Sequence, residues 1–318
     1  MDVIEVTGRP PVSSTPLVLA IGKFDGVHIG HQAILRQAQS ELNGASLAVM
    51  TFWPHPAWVL GGKDGYERAL TPYAAKVKLL ESFGVDRVYA VQFSRDYAAI
   101  AAETFVYEHL RALNLQRVIV GADFRFGRGG NAGVGELESM CREIGVPVTV
   151  VGQVEENGIK VSSTQIRGHL AEGRVEAAQA LLGRPYAVQG RVAYGQALGR
   201  TIGFPTANLD ETAAYVIPAA GVYAVSVQVV DPMDGATSDN KAVQNWFGVL
   251  NAGTRPTVDG ATFRLEAHLF NFSGDLYGKY LRVSFLRRVR DERKFPSVEL
   301  LREQIQHDVK AVQAMLGL

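Results

Sequence analysis

The first strongly patterned stretch of the chain is an apolar run of strand length, Leu17-Val18-Leu19-Ala20-Ile21. A turn follows through Gly22 and Asp25-Gly26, and the apolar positions then fall at Ile34, Leu35, Ala38 and Leu42, a helical spacing. The unit reads strand, glycine-bearing turn, helix. Residues 46–52 predict a second strand, stopped where Pro54 and Pro56 break regular structure. The pattern then predicts a helix over 72–83, a strand over 87–93, a helix over 101–113, a strand over 117–122, a helix over 135–144 and a strand over 146–151. Strands alternating with helices at this spacing predict a parallel, doubly wound α/β sheet, whose ligands lie beyond the carboxyl ends of the strands. Two further helical segments, 166–171 and 175–182, run into Gly183-Arg184-Pro185. We expect a domain boundary there, giving 1–184 and 185–318.

Past Pro185 helical periodicity vanishes. Short β-type runs appear at 187–192, 221–230, 242–250, 262–270 and 280–286, divided by turn signals at Asp234-Gly235, Asp259-Gly260 and Ser273-Gly274. They predict a small antiparallel barrel. A last amphipathic helix starts after Pro296, with Ser297 as its N-cap and Leu301, Ile305, Val309, Val312 and Leu316 on one side to pack on the barrel wall.

Composition narrows the class. A length of 318 residues suits two cores rather than one, and 47% hydrophobic with 20% charged residues is ordinary for a soluble enzyme. The formal net charge is zero, which argues against a nucleic-acid partner. Cys141 is the only cysteine, so neither an intramolecular disulfide nor a zinc framework is expected. The first residues, MDVIEVTGRPP, carry acids where a signal peptide needs a basic and then an apolar run. No apolar run approaches the roughly 20 residues of a membrane helix. A cytoplasmic enzyme without a membrane partner is the expectation.

Much of the candidate chemistry gathers beyond the carboxyl ends of the predicted strands, where HIGH and the loop after 117–122 are expected to face one crevice. His28 and His31 stand at the mouth of the first helix, where free N–H groups and the positive dipole end suit phosphate. Three apart, they share a helical face and add donors where charge grows on a transferring phosphoryl group. Gly30 between them is expected to let a planar ligand approach the backbone. Alone, such a histidine pair reads more often as structural; its place after strand and glycine turn reverses that. His55, between two prolines, reads as a local hydrogen-bonding residue. The segment GADFRFGRGGNAGVG, residues 121–135, lacks GxxxxGK[ST] and does not continue to GxGxxG, so as a bare glycine loop it reads as a lid. Beyond it, Lys160, Ser162, Ser163, Thr164 and Arg167 offer hydroxyl and cationic phosphate donors, with a helix N-cap at Thr164 as the bland alternative.

The string GKFDGVHIGH resembles the signature of the HxGH nucleotidyltransferases, and its FDGVH part the FAD synthetase module of bacterial bifunctional riboflavin kinase/FAD synthetases. GADFRFG and SSTQIR resemble that module's further motifs. GRVAYGQALGRTIGFPTANLD, GVLNAGTRPTV, LEAHLFNFSGDLYGKYLRVSF and RDERKF resemble the riboflavin kinase signatures, in order. One departure is Tyr194, where the family commonly has His before Gly195. The resemblance implies nucleotide and phosphate binding by Gly22, Phe24, Asp25, Gly26, Gly30, Lys160, Ser163, Thr164 and Arg167, with His28 and His31 stabilising developing charge. It implies flavin contacts at Asp123, Phe124, Phe126 and Arg290, and kinase nucleotide contacts at Gly199 and Thr206. It further implies that Thr206 and Asn208 bind the Mg²⁺ that accompanies ATP, and that Glu266 is the base for the ribityl hydroxyl. The expected ligands are ATP, riboflavin, FMN and FAD. Without the family context, PTAN reads as a proline-initiated turn and Glu266 as a solvated strand residue.

Two other classes stand beside this reading. HIGH alone fits any HxGH adenylyltransferase, an aminoacyl-tRNA synthetase included, but no KMSKS-type lysine pair follows it. A flavin-storage protein has no use for HIGH and PTAN together.

Overall fold

The computed structural model describes residues 1–194, 203–230, 244–257 and 260–318. The chain divides into two compact units, Met1–Ser163 and Thr164–Leu318.

The first unit is built on a sheet of β1 (Asp2–Val6), β2 (Leu17–Ile21), β3 (Ser46–Trp53), β4 (Arg87–Gln92), β5 (Leu115–Gly121) and β6 (Val148–Val151). Its spatial order is β1-β4-β3-β2-β5-β6, with every neighbouring pair parallel. The continuous apolar run of β2 follows from burial on both faces. Leu17, Leu19 and Ile21 join a core on one face with Met50, Tyr89, Val120 and Leu137. Val18 and Ala20 join a core on the other with Phe24, Ile34, Leu35 and Leu80. From β2 the chain winds outward through β3 to β4, then returns to place β5 on the other side of β2. The order therefore reverses between β2 and β5, and the crevice at their carboxyl ends is the ligand position of doubly wound sheets.

The helices of this unit are α1 (Ile29–Ser40), α2 (Pro56–Gly61), α3 (Tyr73–Ser82), α4 (Arg95–Ala98), α5 (Ala102–Thr104) and α6 (Val134–Glu143). The helix expected over 101–113 is α5 followed by a π-helical turn, Phe105–His109, and a 3₁₀ turn, Leu110–Ala112. The wider turn lets Phe105, Val106, His109 and Leu110 all face inward. The sequence pattern did not show β1, the short hairpin over 155–160, or the short helices α2 and α4. β1 is an edge strand with mostly exposed side chains, so it carries no apolar run. β7 (Glu155–Glu156) and β8 (Ile159–Lys160) form a two-residue-per-strand hairpin too short to show a period.

In the second unit, α7 (Ser163–Ala171) and α8 (Val175–Leu182) precede β9 (Tyr186–Ala193), β10 (Ala207–Asp210), β11 (Gly221–Val230), β12 (Asn245–Thr257), β13 (Gly260–Leu269) and β14 (Tyr280–Arg290). These strands close a barrel in the order β10-β13-β12-β11-β14-β9, all antiparallel. Closure depends on β10, a short strand that the sequence pattern does not isolate; it pairs with both β9 and β13. Alternate residues of β14, Leu281, Val283 and Phe285, are fully buried, as period-two alternation requires. The turn signals at Asp234-Gly235 and Asp259 lie outside the described residues.

The segment α7–α8 separates the expected boundary at 184 from the division at Ser163/Thr164. It is bonded to the barrel: the Ala219 N–H donates to the Leu170 carbonyl (2.9 Å), Arg288 Nη1 to the Glu172 carbonyl (3.1 Å), and the Arg288 N–H to Glu176 Oε1 (3.1 Å).

The terminal helix α9 (Val298–Leu316) is capped by Ser297, whose Oγ accepts from the Leu300 N–H (3.3 Å). Val312 is its deepest apolar residue, packed on Val222, Ala224, Val249 and Phe270, with Val309 and Leu316 beside it. A charge sits on the same face. Asp308 is buried and accepts from Arg290 at the end of β14 through Nε (2.9 Å) and Nη2 (2.7 Å), and from Gln304 Nε2 (2.7 Å). Breaking such a pair strands a guanidinium against apolar surface. Asp308→Ala is expected to destabilise the second unit by about 3 kcal/mol, the low end for buried pairs because Arg290 retains some solvent. Urea unfolding followed by tryptophan fluorescence measures it, and a loss under 1 kcal/mol refutes the anchoring role.

Candidate functional site

The turn between β2 and α1 has an unusual backbone. Phe24 (φ 51°) and Val27 (φ 41°) lie in the left-handed region together with Gly26 (φ 85°), and a β-branched residue rarely adopts it. Both side chains are fully buried, so core packing offsets the strain. Four of the turn's carbonyls have named donors. Lys23 accepts from Thr51 Oγ1 (2.9 Å) and Lys76 Nζ (3.1 Å), and Phe24 from the Val27 N–H (3.3 Å). Asp25 accepts from Ser163 Oγ (2.8 Å), Val27 from Gln32 Nε2 (3.0 Å). The Asp25 carboxylate is buried and accepts from the Leu70 (2.9 Å) and Thr71 (3.3 Å) N–H groups.

This turn delivers the histidines. His28 is the N-cap of α1, its Nδ1 accepting from the His31 N–H (3.3 Å). The two imidazoles stack with centroids 3.7 Å apart and 17° between planes, and Phe24 lies 5.0 Å from His31. Gly30 has a nearer reason than ligand approach: a Cβ there would stand 3.1 Å from His28 Nδ1. At Gly22 a Cβ would stand 3.2 Å from the Phe24 ring. Both glycines make room for the site's own side chains.

Lys76 is a site-lining residue that the sequence reading missed. It occupies the buried face of α3 with Leu80, and its ammonium donates to the Lys23 carbonyl, Thr51 Oγ1 (3.0 Å) and the Phe52 carbonyl (3.3 Å). Three acceptors match its three protons, which offsets much of the cost of removing an ammonium from water. Burial still pushes it down to about 8, against the opposing charge of Asp25. The sequence signal was present: Lys76 and Leu80 are four apart in the apolar register of the predicted 72–83 helix.

Across the switch point, after β5, Asp123 pairs with Lys160 of β8 at 2.6 Å. Phe124 stacks on Phe126 (5.6 Å, 16°), and Phe126 is buried against Phe105 (5.5 Å) while Phe124 is only half-buried. The glycine loop between is a tied hairpin: Phe126 bridges to Ala132, and Arg125 donates to the Gly130 (2.9 Å) and Asn131 (3.3 Å) carbonyls. Ser163 closes this unit; Thr164 and Arg167 lie in the first turns of α7. His55 caps α2, accepting from the Ala57 N–H (3.1 Å).

In the barrel, register assembles a second site. Asn208 of β10 stands opposite Glu266 of β13, which stands opposite Asn251 of β12. Directly paired residues of antiparallel strands share a face about 5 Å apart, so the three form one polar row. Their chain neighbours Leu209, Leu265 and Leu250 are buried on the opposite face. Asn251 was not singled out from sequence; it lies in the GVLNAG string, where only pairing identifies it. Thr206 immediately precedes β10. His268, two residues from Glu266, bonds the Pro205 carbonyl through Nδ1 (2.9 Å) and meets Phe204 edge-on (5.2 Å). A carbonyl only accepts, so this nitrogen carries the proton. Arg290 is held by Asp308 and also donates through Nη1 to the Asp291 carbonyl (2.8 Å). Tyr194 stacks on Tyr277 (4.2 Å, 17°). Gly199 lies outside the described residues.

Comparison with known proteins matches each unit to a separate family. Residues 11–165 match the FAD synthetase family, and residues 182–316 the riboflavin kinase family. The bifunctional riboflavin kinase/FMN adenylyltransferase of Escherichia coli K12 is 39% identical over 95% of this chain and 93% of its own length. That of Bacillus subtilis is 37% identical over 92% and 90%. The chain belongs to the bifunctional riboflavin kinase/FMN adenylyltransferase family. A crystal structure from Streptococcus pneumoniae, described as a macrolide-efflux protein, shares the architecture with a TM-score of 0.86 and 30% identity over 98% of this chain and 99% of that one. Among the described residues no helix is long and apolar enough to cross a membrane. In the family's terms, the first unit carries the FAD synthetase match and the barrel the riboflavin kinase match.

The Asp123–Lys160 pair gives this site a measurable electrostatic signature. Burial raises the Asp123 carboxyl, but the Lys160 hydrogen bond and charge, with Lys23 adding to them, outweigh burial and hold it below its ordinary value. The pair therefore contributes above the ordinary aspartate range and is lost as pH falls through the lowered value. Lys160→Met is expected to move the Asp123 midpoint upward in a carboxyl NMR titration; an unmoved midpoint refutes the pairing.

Proposed function

We infer that this chain makes FAD from riboflavin in two ATP-dependent steps, one in each unit. The observation that carries the reading is the pairing of two distinct anion-handling arrangements. One is the His28–His31 stack at a helix mouth on the sheet's switch point; the other is the Asn208–Glu266–Asn251 row on the barrel. Domain limits near 1–184 and 185–318 assign one arrangement to each activity.

In the kinase step the riboflavin 5′-hydroxyl attacks the γ-phosphorus of ATP. Glu266 takes the hydroxyl proton, the bond from Pγ to the bridging oxygen breaks, and ADP leaves. Thr206 and Asn208 offer neutral oxygens, a donor class suited to magnesium; Asn208 stands opposite the base in the barrel register and Thr206 immediately precedes β10. A Mg²⁺ held by these residues with ATP would supply neutralisation of the phosphate charge. Gly199 serves the same nucleotide. His268 steadies the Pro205 carbonyl and so the Thr206–Asn208 segment, and Arg290 anchors the segment after β14 for the flavin.

In the second step an FMN phosphate oxygen attacks the α-phosphorus of a second ATP. The bond from Pα to the bridging oxygen breaks, and pyrophosphate leaves. His28 and His31, with the N–H groups of α1, stabilise the charge that develops. Gly22, Phe24, Asp25, Gly26 and Gly30 shape that mouth, and Ser163, Thr164 and Arg167 supply further phosphate donors. Asp123 and Lys160 exchange their mutual pair for nucleotide, and Phe124 offers its open ring to the isoalloxazine on the buried support of Phe126. The need for ATP and free flavin places the enzyme in the cytoplasm.

Incubation with riboflavin and MgATP, followed by chromatographic separation of riboflavin, FMN and FAD, tests the whole reading; absence of both products overturns it. The variants divide it. His28→Ala with His31→Ala is expected to cut FAD formation on the order of a hundredfold while FMN still accumulates. Glu266→Gln keeps shape and hydrogen bonding but cannot take the proton, so riboflavin phosphorylation should fall roughly 10² to 10⁴-fold with adenylylation of supplied FMN intact. A Glu266→Gln kinase rate close to the parent's removes Glu266 from the chemistry.

A further inference from the structure

Lys76 lies on α3, outside every motif that carries the family resemblance, and yet it is 5% exposed directly beneath the strained turn. Its ammonium joins three parts of the first unit: its own helix, the end of β3 at Thr51 and Phe52, and the turn at Lys23. Thr51 reinforces the same point, donating to the same Lys23 carbonyl. Lys23 is followed by Phe24, the first residue of the left-handed turn, and four residues lie between Lys23 and His28. Among the described residues, Thr51 and Lys76 are the side chains that hold this carbonyl, and the three acceptors of Nζ are two carbonyls and a hydroxyl.

We propose that Lys76 is a positioning residue for adenylyl transfer, fixing the Lys23 carbonyl from below so that the turn presents the His28–His31 stack to the reacting phosphates. The proposal rests on the reading of that stack as the adenylylation site. The cation behind the turn is held by neutral oxygens, with the Asp25 carboxylate of the same turn opposing its charge. Loss of the proton removes both the charge and one of the three donated bonds. Burial brings that loss to about pH 8. Because the ammonium is lowered, the contribution is complete well below pH 8 and fades as pH rises through it. Asp25 on the turn is the charge that acts on it, and Tyr73 lies one turn earlier on its own helix, its phenol pushed up by burial and by Glu5 of β1.

The test uses the full chain with Lys76→Met, which keeps length and apolar bulk, and Lys76→Arg, which keeps a cation that does not titrate in range. FMN adenylylation and riboflavin phosphorylation are measured on each preparation from pH 6.5 to 9.5. Lys76→Met is expected to lower the adenylylation kcat at least tenfold, with KM for FMN changed less than threefold and the kinase rate within twofold of the parent. Lys76→Arg should recover most of the rate. The parent should lose adenylylation through an alkaline limb near pH 8 that Lys76→Arg lacks; the other groups are common to both proteins. A parent-like kcat in Lys76→Met, or an alkaline limb that persists in Lys76→Arg, overturns the proposal. If Lys76→Met does not fold, the limb in the parent and in Lys76→Arg decides alone. The parent and the double histidine variant run alongside: if these make FAD equally well, the reading of the stack fails, whereas a selective loss there with a parent-like Lys76→Met rejects Lys76 only.

Discussion

The first unit depends on holding a turn that its residues do not favour. Phe24 and Val27 occupy left-handed backbone at a cost of the order of 1–3 kcal/mol each. What over-determines the turn is the burial of both side chains together with a partner for the carbonyls of Lys23, Phe24, Asp25 and Val27. Full burial of a Phe or Val side chain contributes roughly 1.5–3 kcal/mol, the same size as the strain, so packing alone leaves little margin. The hydrogen bonds decide the geometry. They come from β3, α1, α3 and Ser163, so four separate parts of the unit must be in place before the turn is.

That dependence explains the chemistry of the turn's mouth. The histidines are fixed through backbone: His28 caps α1 through the His31 N–H, and the stacking follows from the cap. Glycine at position 30 is required by the ring of His28 itself. In the proposed adenylylation the donors would thus be set in advance, the condition under which fixed dipoles stabilise a developing charge without reorganising.

The barrel solves its problem by register instead of by a turn. A strand residue's face is fixed by its pairing, and a slip of one residue would send Glu266 into the interior and Leu265 out. Buried Leu209, Leu250, Leu265, Ala207 and Ala267 lock that register. The polar row is therefore specified by the apolar residues behind it. The Arg290–Asp308 pair adds a directional tie between β14 and α9 that apolar packing by Val312 does not provide.

Much of this was legible in the residues. The period-two and helical patterns gave the alternating α/β half, the run of short strands and the final helix, because burial on one or two faces imposes those periods directly. The motifs singled out both candidate sites for a similar reason: the chemistry proposed for them needs particular side chains close together in the chain. What the pattern did not carry was whatever depends on a partner distant in sequence. β1 and β10 have too little apolar character to announce themselves and exist because β4, β9 and β13 pair with them. Asn251 joins Glu266 only through pairing, and Asp308 and Lys76 are charges in apolar register whose burial is tolerable only because Arg290, Thr51 and two carbonyls reach them. Sequence determined which segments bury and which groups react; tertiary structure decided which buried charges are satisfied, because that is settled by acceptors and donors brought together from across the chain.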